Sequence, residues 1–401
     1  MTQPLRIAIV GYGIAGTAAA ILLRKQGHHV ERFERSASDE PPGAGILLHP
    51  AAESLLKELG VWDAALARGA RVARLRGETV TGRQIMDFCY SNEGSSYALG
   101  IQRGALLELL RNADPDREGV RHGSTVESVD AESGLLTLLG GEKNGPYDLI
   151  VAADGARSSV RNSIPEIVAR DRLYRSAAIV TLVDDPQRIV GDEVLQRFDG
   201  VRHVSVWPVG TTDATTRPRL NISINVPLAK ATEWRATGEW RRVVAEFFPS
   251  LVTLLDQQPG SSVEPIMYSY RDVIVRRFNA GRVVLIADAA HSMSPQLGQG
   301  VLLALQDAAA LGQALGLHQA PLTAIRHYDA VRRPQVRPIQ QACRRITPMF
   351  QSESRLLAGV RDAAAGPLLN LPSIKHRMRS LLASGSASER IRRTYVASAK
   401  T

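Results

Sequence analysis

The segment Gly11-Tyr12-Gly13-Ile14-Ala15-Gly16 lies between an apolar run, Arg6 to Val10, and an Ala- and Leu-rich stretch, Thr17 to Gln26, that stops at Gly27. Glycines at this spacing between a strand and a helix suit a dinucleotide phosphate. Gly11 permits the tight turn, Gly13 lets backbone approach a pyrophosphate, and Gly16 lets helix and strand pack closely. The free N–H groups at the helix start, at Ile14 and Ala15, then face the phosphates. Glu34 follows a second strand, His29 to Phe33, at the distance where a carboxylate accepts from ribose hydroxyls. This pattern alone does not choose between a nicotinamide and a flavin dinucleotide.

Two further segments make that choice. Asp148 to Arg161 reads DLIVAADGARSSVR, and Arg282 to Asp307 reads RVVLIADAAHSMSPQLGQGVLLALQD. In the second, Pro295 to Gly300 leads into a long apolar helix whose first N–H groups point outward at a positive dipole end. The negative pyrimidine side of a reduced flavin is stabilised by such a site. Together with the first glycine turn, these segments resemble the three fingerprints of the FAD-dependent class A aromatic hydroxylases, the group that includes p-hydroxybenzoate and salicylate hydroxylases. Order and spacing agree over almost the whole chain apart from its middle.

The resemblance implies a role for each matched position. Gly11, Gly13 and Gly16 would line the pyrophosphate, Glu34 would hold the adenosine ribose, and Arg35 would sit beside the adenine, touched also by the backbone of Val126. Gly45 belongs to a segment, Gly43 to Pro50, that borders the flavin ring in this family. Arg103 would reach the ribityl and phosphate portion, and Asp288 would bind the ribityl chain. Asp154, supported by Arg157, Ser158 and Arg161, would serve both FAD and the nicotinamide cofactor. The stretch containing Pro295, Gly298, Gln299, Gly300 and Val301 would lie against the flavin ring. Two positions depart from the pattern. Ala287 stands where the family has Gly, an added methyl expected to be tolerated, and Leu302 stands where many members have Asn.

The activity implied is that of a monooxygenase. NADH or NADPH reduces FAD transiently, O2 adds to give a flavin C4a-hydroperoxide, and one oxygen passes to a small aromatic or heteroaromatic substrate, phenolic or carboxylated. The same scaffold also serves epoxidation, N-oxidation or Baeyer–Villiger insertion, and a non-enzymatic FAD-containing binding protein is the remaining alternative. Trp207-Pro208 is not the tryptophan signature of flavin halogenases. His49 is a candidate base for activating the substrate, with an ordinary structural histidine as the other reading. His203, on the same strand face as Ser205 and Trp207, is either a wall of the substrate pocket or a plain sheet residue. Arg271 would pair with an anionic substrate or with a structural carboxylate. His291 is expected to fix its loop.

These residues need a scaffold, and the patterning outlines one. Apolar runs at Arg6–Val10, His29–Phe33, Asp148–Ala153 and Arg282–Ala287 read as buried parallel strands, with helices at Ala51–Leu59, Gly104–Asn112 and Gly300–Leu315. Alternation at Ser176–Val183, Val201–Val209 and Arg219–Val226 reads as an antiparallel sheet with one helix, Glu239–Leu255. The expectation is an α/β chain. Its discontinuous Rossmann-like FAD domain would comprise residues 1–75, 98–165 and 271–345, with a mixed or antiparallel substrate sheet at 76–97 and 166–270. A C-terminal helical segment, 346–401, would complete it, ending in a Gly/Ser/Ala-rich tail of doubtful order.

Composition narrows the classes. With 49 Lys+Arg against 40 Asp+Glu the chain carries +9, densest at Arg332-Arg333, Arg344-Arg345, Arg377 to Arg379 and Arg390 to Arg393. A solvated helical surface accounts for this, and steering of anionic dinucleotides and substrates is the next use. An aromatic content of 5% speaks against base-stacking platforms, so no nucleic-acid partner is expected. Cys89 and Cys343 are the only thiols and show no metal-ligand spacing, so no metal site is expected. No signal-like start or uninterrupted membrane-length stretch is evident, which gives a cytoplasmic expectation, as a monomer or homodimer.

Overall fold

The computed structural model describes residues 3–37, 43–90, 96–211, 217–258, 265–351, 353–369 and 371–374. The Gly/Ser/Ala-rich tail and the basic clusters beyond residue 374 lie outside them.

The apolar runs come together as one sheet of six strands. Its order is Asn279–Ala280, Val283–Leu285, Leu149–Ala152, Arg6–Val10, His29–Phe33 and Val120–Arg121. All pairings are parallel except that of the edge strand Asn279–Ala280. Ile7, Ala8 and Ile9 are wholly buried, as are Leu149 to Ala152, as the continuous apolar runs require of a sheet covered on both faces. The helices Ile14–Lys25 and Gly300–Leu317 pack on each other beside this sheet. The second is 18 residues long and apolar enough, by length and composition, to cross a membrane. Its side chains are instead mostly buried within the protein, with Leu303, Leu305, Ala308 and Leu311 in the main core.

A second sheet has seven strands in the order Ile266–Val275, Val168–Asp184, Arg219–Pro227, Arg202–Pro208, Glu193–Asp199, Arg74–Thr79 and Gln84–Cys89. Neighbours run antiparallel except Glu193–Asp199 beside Arg74–Thr79. One face buries Ile179, Val204, Ile222 and Ile224 under Trp240, Val243, Val244 and Phe247 of a covering helix. The alternate residues face the other way, where Asn221 meets Gly45 and Phe198 meets Phe350 and Ala365 near the C-terminal end. The chain is therefore α/β, with a parallel sheet entered three times and a mixed sheet laid against it.

Three local expectations change. The helix anticipated over Glu239–Leu255 is broken into Glu239–Phe247 and Val252–Asp256, because Phe248 leaves the helical conformation at φ −137° and ψ +75° and Pro249 starts a separate short turn. The strand anticipated at Ser176–Val183 begins eight residues earlier, at Val168. Its first half, VARDRLYR, is polar, and pairing with Ile266–Val275 sets its conformation in place of an apolar run. Arg282–Ala287 shortens to Val283–Leu285, and its last residues turn sharply.

Candidate active site

The first glycine turn is shaped by contact. Gly11 has φ +95°, and a methyl there would lie 2.5 Å from the Ala153 carbonyl oxygen. A methyl at Gly16 would overlap the Gly11 carbonyl, whereas one at Gly13 would meet nothing within 4 Å. So Gly11 and Gly16 hold the fold together, and Gly13 faces open space. The first backbone bond of the following helix runs from Thr17 N to Gly13 O at 2.9 Å, which leaves the amides of Ile14, Ala15 and Gly16 without an intrahelical acceptor. Beneath the turn, the Tyr12 hydroxyl donates to buried Asp114 at 2.7 Å, and Asp114 also takes fully buried Arg32 at 2.6 Å.

Glu34 accepts from the Tyr12 amide at 2.8 Å and from the Ser36 amide at 2.9 Å. It therefore braces the turn, and each oxygen keeps a second lone pair for a hydroxyl. Arg35 stands exposed beside it.

The second segment forms a capped turn. Ser158 Oγ accepts from Arg161 N at 2.9 Å, capping the short helix Ser159–Asn162. Arg161 is fully buried and donates to the carbonyls of Ala156 and Ala289, each at 2.9 Å, and to Asp171 at 2.7 Å. It thereby bolts this turn to the helix start at Asp288. Asp154 accepts from Val160 N at 3.2 Å with one oxygen, while its other oxygen is buried with no partner in the protein. Burial lifts its carboxyl above the usual range, against the pull of Ser158 and Arg161. Val126 offers its carbonyl to Ser159 Oγ at 2.6 Å, and Arg157 reaches Ser269 of the mixed sheet at 3.2 Å.

Asp288 opens the third segment. Its side chain reaches solvent, yet protein crowds it, and that crowding raises its carboxyl above the usual range while the charges of His291, Arg103 and Arg161 pull the other way. Arg103 begins the helix Arg103–Asn112, with its amide on the Ala44 carbonyl at 2.8 Å. Ala287 has φ +54° and ψ −138°, a region that glycine enters freely and other residues do not. The expectation of a tolerated methyl is thus corrected, because the penalty lies in the backbone and not in the volume of the methyl. Ala287 is held there by its amide, which donates to Asp307 Oδ2 at 2.7 Å. The same carboxylate bonds His291 Nε2 at 2.6 Å and Arg332 Nε at 2.8 Å, all buried, and those charges hold its pKa down to about 2 despite its burial.

Pro295 and Gly298 form a tight turn, with Gly298 at φ +60° and its amide on the Pro295 carbonyl at 2.9 Å. The next backbone bond is Leu303 N to Gln299 O, so the amides of Gly300 and Val301 face outward at the start of the long helix. Leu302 points into the core, away from this face. His49 touches the turn directly. Its Nε2 bonds the Leu297 carbonyl at 3.1 Å and its Nδ1 meets the Tyr90 hydroxyl at 3.1 Å. The carbonyl can only accept, so Nε2 carries the proton and Nδ1 accepts from Tyr90. Burial pushes His49 down to about 4. Tyr90, whose hydroxyl burial pushes well above the usual range, is a residue that sequence reasoning missed.

The mixed sheet meets these segments through Asn221, whose Oδ1 accepts from Gly45 N at 2.7 Å. A methyl at Gly45 would lie 2.6 Å from Asn221 and Val209, so close approach of the sheet demands this glycine. His203 lies on the same sheet face, stacked on Phe198 with ring centroids 5.2 Å apart and pushed down to about 4 by burial. It is not beside His49, and the two stand with different neighbours. Arg271 pairs through Nε with Asp171 at 2.6 Å, the structural partner that the sequence left as one of its two readings.

A family model described as an FAD binding domain matches residues 5–342. The chain is an FAD-dependent monooxygenase of the class A aromatic hydroxylase family. This monooxygenase is 29% identical over 365 residues to 3-amino-4-hydroxybenzoate 2-monooxygenase of Streptomyces cremeus, covering 87% of this chain and 88% of that one. It is 27% identical over 365 residues to 6-hydroxynicotinate 3-monooxygenase of Pseudomonas fluorescens, at 85% and 91% coverage. Its fold superimposes on Klebsiella pneumoniae HpxO complexed with FAD and uric acid with a TM-score of 0.78 at 22% identity, covering 94% of this chain and 96% of that one. The residues present fit FAD. Open space before Gly13, outward amides at Ile14 and Gly300, and the unpartnered buried oxygen of Asp154 are what an extended dinucleotide requires.

Proposed function

We propose that this monooxygenase uses NADH or NADPH and O2 to hydroxylate a small heteroaromatic ring held between the Pro295–Val301 loop and the mixed sheet. FAD, when bound, supplies the reducing and oxygen-transferring chemistry. The chain supplies the rest. Gly11, Gly13 and Gly16, with the amides of Ile14 and Ala15, hold the pyrophosphate. Glu34 takes the adenosine ribose, with Arg35 and the Val126 backbone at the adenine. Arg103, Asp154 and Asp288 hold the central phosphate and ribityl portion. The Gly45 backbone and the loop of Pro295, Gly298, Gln299, Gly300 and Val301 border the ring. Outward amides at the head of an 18-residue helix favour negative charge beside them. That single arrangement, an open Gly13 at one end and an open Gly300 at the other, supports the reading most directly.

His49 then acts on protons through Nδ1. A pKa near 4 keeps it neutral at neutral pH, so Nδ1 accepts the hydrogen bond of the Tyr90 hydroxyl while Nε2–H is held by the Leu297 carbonyl, and the ring is fixed beside the Pro295–Val301 loop as an acceptor. His203 forms a wall of the same sheet face. Purified protein with bound FAD should consume NADH or NADPH faster when a heteroaromatic substrate is added. His49→Ala should lower hydroxylation while leaving FAD content unchanged, and full activity in that variant would remove His49 from the chemistry.

A further inference from the structure

A helix on a protein surface turns charged or polar residues outward, and one that is apolar all round belongs in an interior. The helix Arg355–Leu369 breaks that rule. Ala358, Arg361, Ala365 and Gly366 form its buried inner face, set against the strand Gln84–Cys89 and the helix Pro321–Phe350. A methyl at Gly366 would lie 2.6 Å from the Gln84 carbonyl oxygen, so that approach is close. The outer face carries Leu356, Val360, Ala364 and Leu368 at four-residue spacing, with Leu357 beside them. Leu356 is 77% exposed, Val360 49% and Leu368 51%. No charge relieves that face. After Arg355 the helix has only two charged residues, buried Arg361 and Asp362, which pairs with it at 2.6 Å.

An apolar face of this kind marks a contact with another protein or with a membrane. The sequence that follows the helix favours the second. Residues 375–401 hold seven Lys and Arg, among them Arg377, Arg379, Arg392 and Arg393, against Glu389 alone, and so carry six of the nine net positive charges of the chain. The outer face of the helix offers these cations no carboxylate, so laying the segment over it would leave them unmatched. Two copies meeting through this face about a twofold axis would bring two such segments together, and like charges repel. Nucleic acid would match the charge but not the leucines, because phosphates need donors and bases need aromatic planes. An anionic lipid surface meets both features. Apolar side chains sink below the headgroups while Lys and Arg stay at the lipid phosphates. At 15 residues the helix is roughly 22 Å long, enough to lie along such a surface and too short to cross it.

We infer that the helix Arg355–Leu369 and the basic segment after it dock this enzyme on an anionic lipid surface, with Leu356, Val360 and Leu368 immersed and the cations of 375–401 at the headgroups. The helix lies flat, and the two sheets stay in water. The long helix Gly300–Leu317, apolar but mostly buried, takes no part. This goes beyond the monooxygenase reading above and does not depend on it.

The test is co-sedimentation of the whole FAD-loaded chain with vesicles of phosphatidylcholine alone and of phosphatidylcholine mixed equally with phosphatidylserine. The parent should bind the mixed vesicles at least about tenfold more tightly than the neutral ones, and lose at least about tenfold when salt rises from about 0.1 to about 1 M. The double variant Leu356→Gln, Val360→Gln should bind the mixed vesicles at least about tenfold more weakly, and so should Arg392→Glu, Arg393→Glu. The first pair should keep the FAD content and urea midpoint of the parent, because both side chains face solvent. Leu322→Gln, 41% exposed at the far end of the helix Pro321–Phe350, should bind vesicles as the parent does. The inference is overturned if the parent ignores the mixed vesicles, binds both kinds equally, or is matched on them by the Leu356, Val360 pair. A dimer in solution that this pair splits into monomers would assign the face to a second copy and overturn it too. Binding to a DNA duplex without binding to vesicles would do the same.

Discussion

Ala287 donates its amide to Asp307 Oδ2 at 2.7 Å from a backbone conformation, φ +54°, that costs a non-glycine residue on the order of 1–3 kcal/mol. The bond links the turn before Asp288 to the buried middle of the long helix. It explains how a strained residue is held one position ahead of Asp288, the carboxylate proposed to bind the ribityl chain.

Replacing the strained residue tests that account. Ala287→Gly removes the backbone penalty but loosens the unfolded chain by about 0.4–1 kcal/mol. Net stabilisation of about 1 kcal/mol is expected, seen as a higher urea midpoint at unchanged slope. A lower midpoint would show that the φ value carries no strain.

Asp307 itself should matter far more. Asp307→Asn leaves buried Arg332 without a carboxylate, a loss of roughly 3–5 kcal/mol. Its pKa, held down to about 2, also fixes a pH window. A carboxyl depressed in the folded state stabilises fully above its unfolded value near 4, and that stability is lost as pH falls toward 2. The parent should therefore lose stability across pH 4 to 2 more steeply than the Asn variant.

His49 and His203, both pushed down to about 4 by burial, set a second window. Each is neutral in the folded chain and titrates near 6.5 when unfolded, so the unfolded state takes up protons first as pH drops. Stability should be full above pH 6.5 and fall toward pH 4, by up to about 3 kcal/mol for each. Urea titrations at pH 7.5, 6 and 5 check this, and His49→Gln should flatten the decline. A parent curve that is level between pH 6.5 and 4 would contradict it.

The segments proposed to hold the cofactor were legible in the sequence because their signals are local. Gly11, Gly13, Gly16, Asp154, Asp288 and the Pro295–Val301 loop each sit at a strand or helix end that a few residues suffice to define. What depends on conformation or on distant pairing was not. The Ala287 problem is one of φ, invisible in a comparison of side-chain sizes. The polar face of Trp207, Asn221 and Asn225 exists only once several strands are in register. Tyr90 reaches His49 from another sheet. The break at Phe248–Pro249 was written in a proline that the apolar spacing outweighed.

The glycine turn offers the most direct test of where the flavin phosphates lie. A methyl at Gly13 meets no protein atom within 4 Å, whereas one at Gly16 overlaps the Gly11 carbonyl. The measurement is a titration of apoprotein with FAD, followed by flavin fluorescence, for the parent and for Gly13→Ala, with urea midpoints of both apoproteins alongside. The expected result is an apoprotein of unchanged stability that binds FAD at least about a hundredfold more weakly, because the methyl occupies the space of the pyrophosphate. Equal FAD affinity in the parent and in Gly13→Ala would contradict the account.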